Sequence, residues 1–268
     1  MSTELPDVFR LDGRVAVVTG GGSGIGRAMC ETFAAAGAAV VVGDINDEWG
    51  AETADRINSA EGRAVFRHAD VGCRQDHESL ARQAEESFGS LSISCNLGGP
   101  PTPFVEIADI TDEQLDAVLS SHLKSVMYGC QAAIPRMIRA GGGAIVNMSS
   151  TAADKPAPTN YLYTVVKTGV IALTRVLAME QGKNKIRVNA IAPGVTLTNF
   201  SRRNFVDDNG EVDEQRREEW LRKGALMSPL MITGTPEDQA WLSLYLVSDA
   251  SRFVTGQVIR ANGGWSMA

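Results

Sequence analysis

Two tyrosines and a lysine stand together in a stretch of this chain whose spacing suits acid–base chemistry. The stretch "TNYLYTVVKTG", residues 159–169, holds Tyr161, Tyr163 and Lys167 in otherwise uncharged surroundings. In a helix, Tyr163 and Lys167 share a face because they are four residues apart, whereas Tyr161 points away from the lysine. A phenol is a poor base at neutral pH, and a nearby ammonium favours its ionised form. We therefore predict that Lys167 lowers the pKa of Tyr163, which exchanges a proton with a substrate; the alternative is an ordinary helix pair with Lys167 in solvent.

A serine upstream of this stretch extends the set of reacting groups. Ser150 ends the apolar segment "AIVNMSS" and lies thirteen residues before Tyr163. If that segment is a strand of a parallel sheet, Ser150 lies at its carboxyl end, where such sheets bind ligands. Its hydroxyl can then donate to a substrate oxygen. Ser149 is the alternative, although the alternation of side chains along a strand sends it to the other face.

A glycine cluster follows the first apolar run of the chain. In "VAVVTGGGSGIGRAMC" the glycines come directly after a run suited to a strand and open a run suited to a helix. Glycine lets a backbone approach a diphosphate closely, and a helix N-terminus offers free N–H groups and the positive end of its dipole. We therefore predict a dinucleotide site; the alternative is a turn that merely tolerates glycine. The cluster consists of Gly20, Gly21, Gly22, Gly24 and Gly26.

An acidic residue about twenty positions further on indicates which dinucleotide binds. Asp44 ends the run "VVVGD", where a carboxylate can accept hydrogen bonds from the adenosine ribose and repel a 2′-phosphate. No arginine or lysine lies among residues 20–26 or directly after Asp44. We therefore predict NAD(H) rather than NADP(H). Asp44 can also cap a helix that starts near Asn46, which is compatible with the binding role.

An alternation of strands and helices must position these residues. Runs rich in β-branched residues predict seven strands, at 14–19, 39–44, 64–70, 91–96, 144–150, 187–193 and 257–262. Amphipathic runs predict helices at about 24–36, 47–60, 74–88, 112–139, 161–180 and 236–248. Several strands are apolar at successive positions, as in parallel sheets covered on both faces. The order predicts a single α/β domain over residues 1–268: a doubly wound Rossmann-type fold with a central parallel sheet of about seven strands and helices on both faces.

One charged insertion interrupts this rhythm at about residues 195–232. An excursion of this length in a compact domain is typical of a substrate lid or a disordered segment. Its apolar residues, together with "GGPPTPF" and "STAADKPAPTNY", predict a hydrophobic or cyclic substrate; the alternative is that they only bury the insertion against the body. The apolar residues of the insertion are Leu197, Phe200, Phe205, Trp220, Leu226, Met227 and Met231.

Composition narrows the class of protein. A net charge of −7 and scattered basic residues argue against a nucleic-acid partner. The four cysteines show no C-x-x-C spacing, and no targeting or membrane segment is evident, so we predict a reduced, cytoplasmic protein. No metal is predicted, because the three histidines, His68, His77 and His122, lack ligand spacing with another His, Cys or acid.

The order of these motifs resembles that of the short-chain dehydrogenase/reductase family over the whole chain. The glycine turn reads T-G-x-x-x-G-x-G, from Thr19 to Gly26, and is followed by "HADV", "CNLGG", "IVNMSS", Y-x-x-x-K, "VNAIAPG" and "VTGQVIRANGG". Single motifs among these are weak, whereas their order and spacing together are specific.

The resemblance implies a mechanism, a cofactor site and an assembly. Hydride passes between a nicotinamide and a carbinol carbon, Tyr163 exchanges the hydroxyl proton, Ser150 orients the oxygen, and Lys167 holds the nicotinamide ribose. Asp70 and Val71 bind the adenine, Pro193, Gly194 and Val195 lie against the nicotinamide, and Thr198 lies near its amide or the diphosphate. The implied cofactor contacts are Gly20, Ser23, Gly24, Ile25, Gly26, Asp44, Ile45, Asp70, Val71, Asn96, Gly98, Tyr163, Lys167, Pro193, Gly194, Val195 and Thr198. The family is usually tetrameric, so a homotetramer is expected.

The chain departs from the family pattern at two positions. "SSHLKSVMYG" places His122 where the family has an asparagine that connects the lysine to solvent. His122 either keeps that relay, with a titration nearer neutral pH, or is a packed helix residue. In "CNLGG", Leu97 replaces a second asparagine that could brace the central strands, while Asn96 and Gly99 remain.

Three functions are compatible with the sequence. The first is an NAD-dependent alcohol dehydrogenase or ketone reductase acting by Tyr-Lys-Ser-assisted hydride transfer. A 3-oxoacyl-thioester reductase of the same fold is the second, and the missing basic residue in the glycine turn counts against it. The third, a non-catalytic dinucleotide-binding protein, conflicts with the presence of Ser150, Tyr163 and Lys167 together.

Overall fold

Seven parallel strands form the sheet at the centre of the molecule. The computed structural model describes residues 6–206 and 211–268, and the sheet order is β3-β2-β1-β4-β5-β6-β7. All six neighbouring pairs are parallel. The strands are β1 (Val15–Thr19), β2 (Ala39–Asp44), β3 (Arg63–His68), β4 (Ile93–Asn96), β5 (Gly143–Met148), β6 (Ile186–Ile191) and β7 (Val258–Ile259).

Helices cover both faces of this sheet. They are α1 (Gly24–Ala35), α2 (Asp47–Ser59), α3 (Arg74–Phe88), α4 (Asp112–Leu119), α5 (Ser125–Ala140), α6 (Tyr161–Gln181), α7 (Glu214–Met227) and α8 (Pro236–Val247). Successive residues of β1 enter opposite cores: Val18 packs with Phe33 of α1 and Leu244 of α8, whereas Val17 packs with Leu80 of α3 and the helices beside it. The doubly wound parallel sheet predicted from continuous apolar runs is therefore confirmed.

The structure differs from the predicted elements in three places. The predicted helix at 112–139 is divided by a π-helical turn, Ser120–Lys124, between α4 and α5. The predicted strand at 257–262 is reduced to two paired residues. The predicted insertion contains α7, and its residues 207–210, like residues 1–5 of the predicted domain, lie outside the described part of the chain.

A buried polar chain braces the middle of the sheet. Asn96 Nδ2 donates to Asn147 Oδ1 at 2.8 Å, and Asn147 Nδ2 donates to Thr174 Oγ1 of α6 at 3.0 Å. All three side chains are buried, so each bond replaces contact with water that these groups have lost. Leu97 packs in the core, while its backbone N–H donates to Thr19 Oγ1 at 2.9 Å. The strands are thus braced at Asn96 and Asn147, without the side chain that Leu97 replaces.

This polar chain makes Gly129 of α5 difficult to replace. A Cβ at Gly129 would lie 2.0 Å from Asn96 Oδ1, and Asn96 cannot retreat without losing its bond to Asn147. We expect Gly129→Ala to destabilise the fold by about 2 kcal/mol in urea unfolding, despite the higher helix propensity of alanine. The matched control is Gly182→Ala, because Gly182 has helical backbone angles and an added Cβ would meet nothing within 4 Å. That variant should be as stable as the wild type or up to about 1 kcal/mol more stable, and equal stability of both variants would contradict the clash.

Helix α6 is unusually long and apolar. By length and composition alone, residues Tyr161–Asn184 could cross a membrane, with a mean hydropathy of 1.4. The helix instead packs against β6, and its buried face carries Lys167 and Thr174. We interpret it as part of the helical layer that covers the sheet.

Candidate active site

A cavity lies over the carboxyl ends of the strands. It has a volume of about 840 Å³ and extends from Asp44, at the end of β2, to Tyr163 and Lys167 on α6. The sheet order reverses direction between β1 and β4, and open α/β sheets bind ligands at such a switch point.

The glycine turn shapes one wall of the cavity. A Cβ at Gly26 would lie 1.9 Å from the Gly20 carbonyl oxygen, so glycine is needed for α1 to approach the end of β1. Gly20 adopts a φ of 64° and faces Gly98 across the cavity wall. Ser23, the N-cap of α1, makes no side-chain capping bond, and the first turn of α1 contains no acidic residue. The helix end therefore keeps its partial positive charge toward the cavity, which fits the diphosphate of a dinucleotide.

Asp44 is held rigidly at the adenosine end of the cavity. Its two carboxylate oxygens accept from the N–H of Gly22 at 2.8 Å and of Asn46 at 2.9 Å, which leaves lone pairs for ribose hydroxyls. Asn46, and not Asp44, is the N-cap of α2. The cation that directly follows the glycine turn, Arg27, donates to the Gly22 carbonyl and pairs with Glu52 at 2.8 Å. This pairing leaves Arg27 poorly placed to bind a 2′-phosphate.

Ser150 and Tyr163 face each other at the opposite end of the cavity. Ser150 Oγ accepts from the N–H of Ala152 at 3.1 Å, which leaves its hydroxyl proton free to donate. A hydrogen bond from Ser150 lowers the pKa of Tyr163. Ser149 Oγ instead donates to the Lys167 carbonyl at 3.0 Å, so its proton is occupied within the protein. This arrangement favours Ser150 over Ser149 as the donor to a substrate oxygen.

Lys167 lies beside Tyr163 and is buried. Its Nζ is 5.4 Å from the centroid of the Tyr163 ring and donates to the Met148 carbonyl at 2.9 Å. Burial lowers the pKa of Lys167 to about 8. Two of its three ammonium protons are left for groups in the cavity, as a ribose-binding role requires.

The prediction that Lys167 lowers the pKa of Tyr163 is wrong for the protein alone. Burial raises the pKa of Tyr163 to about 12, and this effect exceeds the lowering by the Ser150 hydrogen bond and by the charge of Arg203. The physical reason is desolvation of the phenolate, which the ammonium, turned toward the Met148 carbonyl, does not offset. A phenol with this pKa stays protonated at neutral pH and is suited to donate a proton.

His122 lies in the π-helical turn and forms part of the cavity wall. Its Nε2 bonds to the Pro100 carbonyl at 2.9 Å, so this nitrogen carries the proton and donates. Its Nδ1 is buried and has no hydrogen-bond partner among the described residues. The ring stands edge-on to Tyr163, with centroids 5.5 Å apart, and packs against Gly99, where a Cβ would lie 2.5 Å from the ring. Nδ1 is therefore a fixed acceptor beside Tyr163 and Lys167.

The expectation that His122 titrates nearer neutral pH is wrong. Burial and the charge of Lys167 lower the pKa of His122 to about 3. The imidazole is therefore neutral at physiological pH. It can accept a hydrogen bond from a relay group, but it does not carry the proton as an imidazolium.

This depressed pKa predicts acid sensitivity of the fold. Unfolded His122 takes up a proton below pH about 6.5, whereas the folded protein cannot until pH about 3, so its contribution to stability is lost as the pH falls through this window. As the pH falls from 6 to 4, the free energy of unfolding should decrease less steeply in His122→Asn than in the wild type. We expect the two slopes to differ by about 1.4 kcal/mol per pH unit. The control is His68→Asn at an exposed position. An unchanged acid dependence in His122→Asn would contradict the buried neutral ring.

The cavity gathers nearly all residues predicted for the site. Its wall includes Ser150, Tyr163, Lys167, His122, Gly20, Ser23, Gly24, Ile25, Gly26, Asp44, Ile45, Asp70, Val71, Gly98, Pro193, Gly194 and Thr198. Two predicted cofactor contacts do not line it. Asn96 braces the sheet through Asn147, and Val195 packs toward Gly224 of α7.

The loop after Ser150 is fixed by residues near the end of the chain. Asp154 Oδ2 accepts from Arg260 Nε at 2.6 Å and from Ser266 Oγ at 3.1 Å, and its side chain is only 7% exposed. Asn262 Nδ2 approaches Thr151 Oγ1 at 3.5 Å and donates to the Ser266 carbonyl at 3.0 Å. These contacts hold the turn that carries Ser150 against the segment after β7.

The predicted insertion contributes less apolar surface to the cavity than expected. Phe205 is buried and packs on Trp220 of α7 with ring centroids 5.6 Å apart, so this pair stabilises the insertion itself. Phe200 lines the cavity and lies 5.9 Å from the Tyr163 ring. The exposed residues Leu226, Met227 and Met231 do not line it. Of the seven apolar residues, only Phe200 is in the cavity wall.

Sequence reasoning missed several residues of the wall, among them Trp49 and Thr196. Trp49 lies beside Gly22 and lines the adenosine end, which its place in the first turn of α2 after Asp44 could have indicated. Thr196 lines the opposite end and pairs its backbone with Gly234. No sequence signal identifies this second contact.

Comparisons with known proteins identify the family of this chain. The family model described as enoyl-(acyl carrier protein) reductase matches residues 20–266. A 2,5-dichloro-2,5-cyclohexadiene-1,4-diol dehydrogenase of Sphingobium indicum is 34% identical over 257 residues, with 96% of this chain and 98% of the relative covered. A 3beta-hydroxysteroid dehydrogenase of Mediterraneibacter gnavus is 30% identical over 266 residues, with 96% of each chain covered. The solved structure of a 7 alpha-hydroxysteroid dehydrogenase with NADH and 7-oxo glycochenodeoxycholic acid superposes with a TM-score of 0.87 at 32% identity, again with 96% of each chain covered.

The fold and the site define an oxidoreductase with a nicotinamide dinucleotide site. The chain belongs to the short-chain dehydrogenase/reductase family. The resemblance inferred from the order of the motifs is thus confirmed.

Proposed function

We propose that this protein is an NAD(H)-dependent oxidoreductase that interconverts a secondary alcohol and its ketone. The observation that carries the proposal is a single cavity that holds Asp44 at one end and Ser150, Tyr163 and Lys167 at the other. A dinucleotide spanning this cavity would bring its nicotinamide to the three reacting side chains.

The three side chains divide the proton chemistry among them. When bound, the nicotinamide supplies or accepts the hydride. Ser150 donates its hydroxyl proton to the substrate oxygen and so fixes its position. Tyr163 gives that oxygen a proton in ketone reduction and removes one in alcohol oxidation. Lys167 holds a ribose hydroxyl with its free ammonium protons.

The preference for NAD(H) rests on the adenosine end. Asp44 places a carboxylate where a 2′-phosphate would lie, and Arg27, the cation that directly follows the glycine turn, is paired with Glu52. A phosphate would meet repulsion there without a compensating cation.

The substrate we propose is a hydrophobic, cyclic alcohol or ketone. Phe200, Pro100 and Pro101 line the cavity near Tyr163 and offer flat apolar surface to a ring. The relatives named above also bear on this point, since their names specify a cyclohexadiene diol and steroids as what those proteins act on.

We further propose a homotetramer in a reducing cytoplasm. Val165, Val176 and Met179 leave an exposed apolar stripe on α6, and Phe253 is 98% exposed nearby in sequence to β7. Exposed apolar groups of this kind are typical of subunit interfaces. The four cysteines are all free, and three of them are buried, which suits a reducing compartment.

The direct test is the formation of NADH at 340 nm from a panel of cyclic secondary alcohols, with NADP⁺ assayed in parallel. We expect turnover with NAD⁺ and at least one cyclic alcohol. NADPH-dependent reduction of a 3-oxoacyl thioester, with no alcohol oxidised, would instead support the acyl-thioester reductase. Dinucleotide binding without any turnover would favour the non-catalytic protein.

A further inference from the structure

An arginine without an acidic partner among the described residues stands next to the reacting tyrosine. Arg203 belongs to the short turn Arg202–Asn204 in the predicted insertion, and its guanidinium lies 4.7 Å from the Phe104 ring and 5.5 Å from the Phe200 ring. Nη1 donates to the Thr102 carbonyl at 2.7 Å. Phe200 in turn packs on Tyr163, so a single aromatic ring separates the guanidinium from the tyrosine.

The hydrogen-bonding capacity of Arg203 is largely unused. Its Nε is buried and has no partner among the described residues, and the same is true of Thr102 Oγ1, on a side chain that is 2% exposed. Arg187 is a half-buried arginine for comparison, and it too has no acidic partner among the described residues. Its guanidinium donates to the carbonyls of Leu246 and Ser248 and to Ser251 Oγ, so acceptors from the protein satisfy it. In the described part of the chain, Arg203 has only the Thr102 carbonyl as an acceptor. A cation partly removed from water without acceptors costs free energy, which an anion would offset.

Arg203 adjoins the substrate end of the cavity. It does not line the cavity, but it contacts Phe200, which does, and Thr102, which follows the lining residue Pro101. Its charge also lowers the pKa of Tyr163. The guanidinium is therefore close enough for its field to act at the reacting oxygen.

We propose that Arg203 binds an anionic group of the substrate, and that the substrate is a cyclic hydroxy or oxo acid whose carboxylate pairs with this guanidinium. A carboxylate matches the fork of free N–H donors, and the half-buried Phe200 ring covers one side of the guanidinium. This inference rests on the proposed function for the identity of the reacting carbon. The geometry that supports the anion site does not depend on it.

Two other roles for Arg203 make different predictions. If Arg203 serves only to favour the phenolate of Tyr163, its loss lowers turnover of charged and neutral substrates alike. If it only ties the Thr102 loop in place, its loss weakens binding of charged and neutral ligands alike. The anion site alone predicts that loss of Arg203 weakens binding of a carboxylate more than binding of the corresponding amide.

The test uses direct binding and turnover with matched probes. Titration calorimetry measures binding of cyclohexanecarboxylate and cyclohexanecarboxamide to the protein saturated with NADH, and NADH consumption follows reduction of 4-oxocyclohexanecarboxylate and its carboxamide. We expect the wild type to prefer each acid over its amide by about 10- to 100-fold, as for a charge-assisted pair. Arg203→Met should remove this preference while the affinity for the amide stays within about 2-fold of the wild type. Arg203→Lys should keep part of the preference, and Arg202→Met, at the exposed neighbouring position, should keep all of it.

The outcomes distinguish the two proposals. A preference for the acid in binding that Arg203→Met removes, without turnover of either ketone, would support the anion site and count against the proposed reaction. Turnover of both ketones without a preference for the acid would support the reaction and overturn the anion site. Equal losses for acid and amide in Arg203→Met would also overturn it.

Discussion

Replacing Tyr163 by Phe should lower kcat by about 10³-fold while the dissociation constant for NADH changes by less than about 2-fold. The substitution removes only the hydroxyl that exchanges the proton, and acid–base catalysis by a positioned side chain contributes about 10²- to 10⁴-fold. The ring itself remains to pack against His122 and Phe200. Stopped-flow absorbance at 340 nm measures the chemical step, and quenching of protein fluorescence measures the affinity for NADH.

Tyr161→Phe is the matched control for this prediction. Tyr161 lies on the same helix, two residues away, and its hydroxyl is buried without a hydrogen-bond partner in the described part of the chain. Removal of an unpaired hydroxyl costs little, so this variant should keep full activity. If Tyr163→Phe stayed active, or if both variants lost activity equally, the assignment of the proton exchange to Tyr163 would be wrong.

The second large effect is expected in the choice between dinucleotides. In Asp44→Asn, the ratio of kcat/KM for NAD⁺ to that for NADP⁺ should fall by about 10- to 100-fold, which corresponds to roughly 1.4 to 2.8 kcal/mol. The side chain keeps its shape but loses the charge that would repel a 2′-phosphate. Because it can no longer accept from the N–H groups of both Gly22 and Asn46, the variant should also raise KM for both cofactors, and the ratio isolates the effect of charge.

Asp47→Asn controls for the loss of one negative charge in the same region. Asp47 lies in the first turn of α2, is exposed, and does not line the cavity. Its substitution should leave the ratio unchanged. A wild type that prefers NADP⁺, or an Asp44→Asn ratio equal to that of Asp47→Asn, would contradict the role of Asp44.

The sequence was most informative where chemistry requires a fixed spacing. The apolar runs predicted all seven strands to within a few residues because both faces of a parallel sheet are buried. The four-residue interval between Tyr163 and Lys167 predicted their shared surface on α6, and Gly26 marked the close approach of α1 to β1. In each case, local geometry alone restricts what the residue type can do.

The features of the site that the sequence did not predict depend on contacts between residues that are distant in sequence. Asn96 was assigned to the cofactor, but its partner is Asn147, 51 residues away. The pKa values of Tyr163 and His122 depend on burial, which spacing along a helix does not reveal. Helix α7 was not predicted although the sequence contains signals for it. Asp213 can cap it, and "EQRREEWLRK" is rich in helix-forming residues. The high charge of the segment instead favoured the interpretation as a loop.

The anchoring of the Ser150 turn by residues 260–266 also determines the order in which parts of the protein can fold during synthesis. Arg260 is translated 106 residues after Asp154, so every strand up to β6 can be made before the turn acquires its clamp. A nascent chain can therefore assemble most of the sheet before the position of Ser150 is fixed. Catalytic activity should appear only when Ser266 has left the ribosome. For the same reason, cleavage of the chain between β7 and Ser266 should abolish catalytic activity while the sheet remains folded.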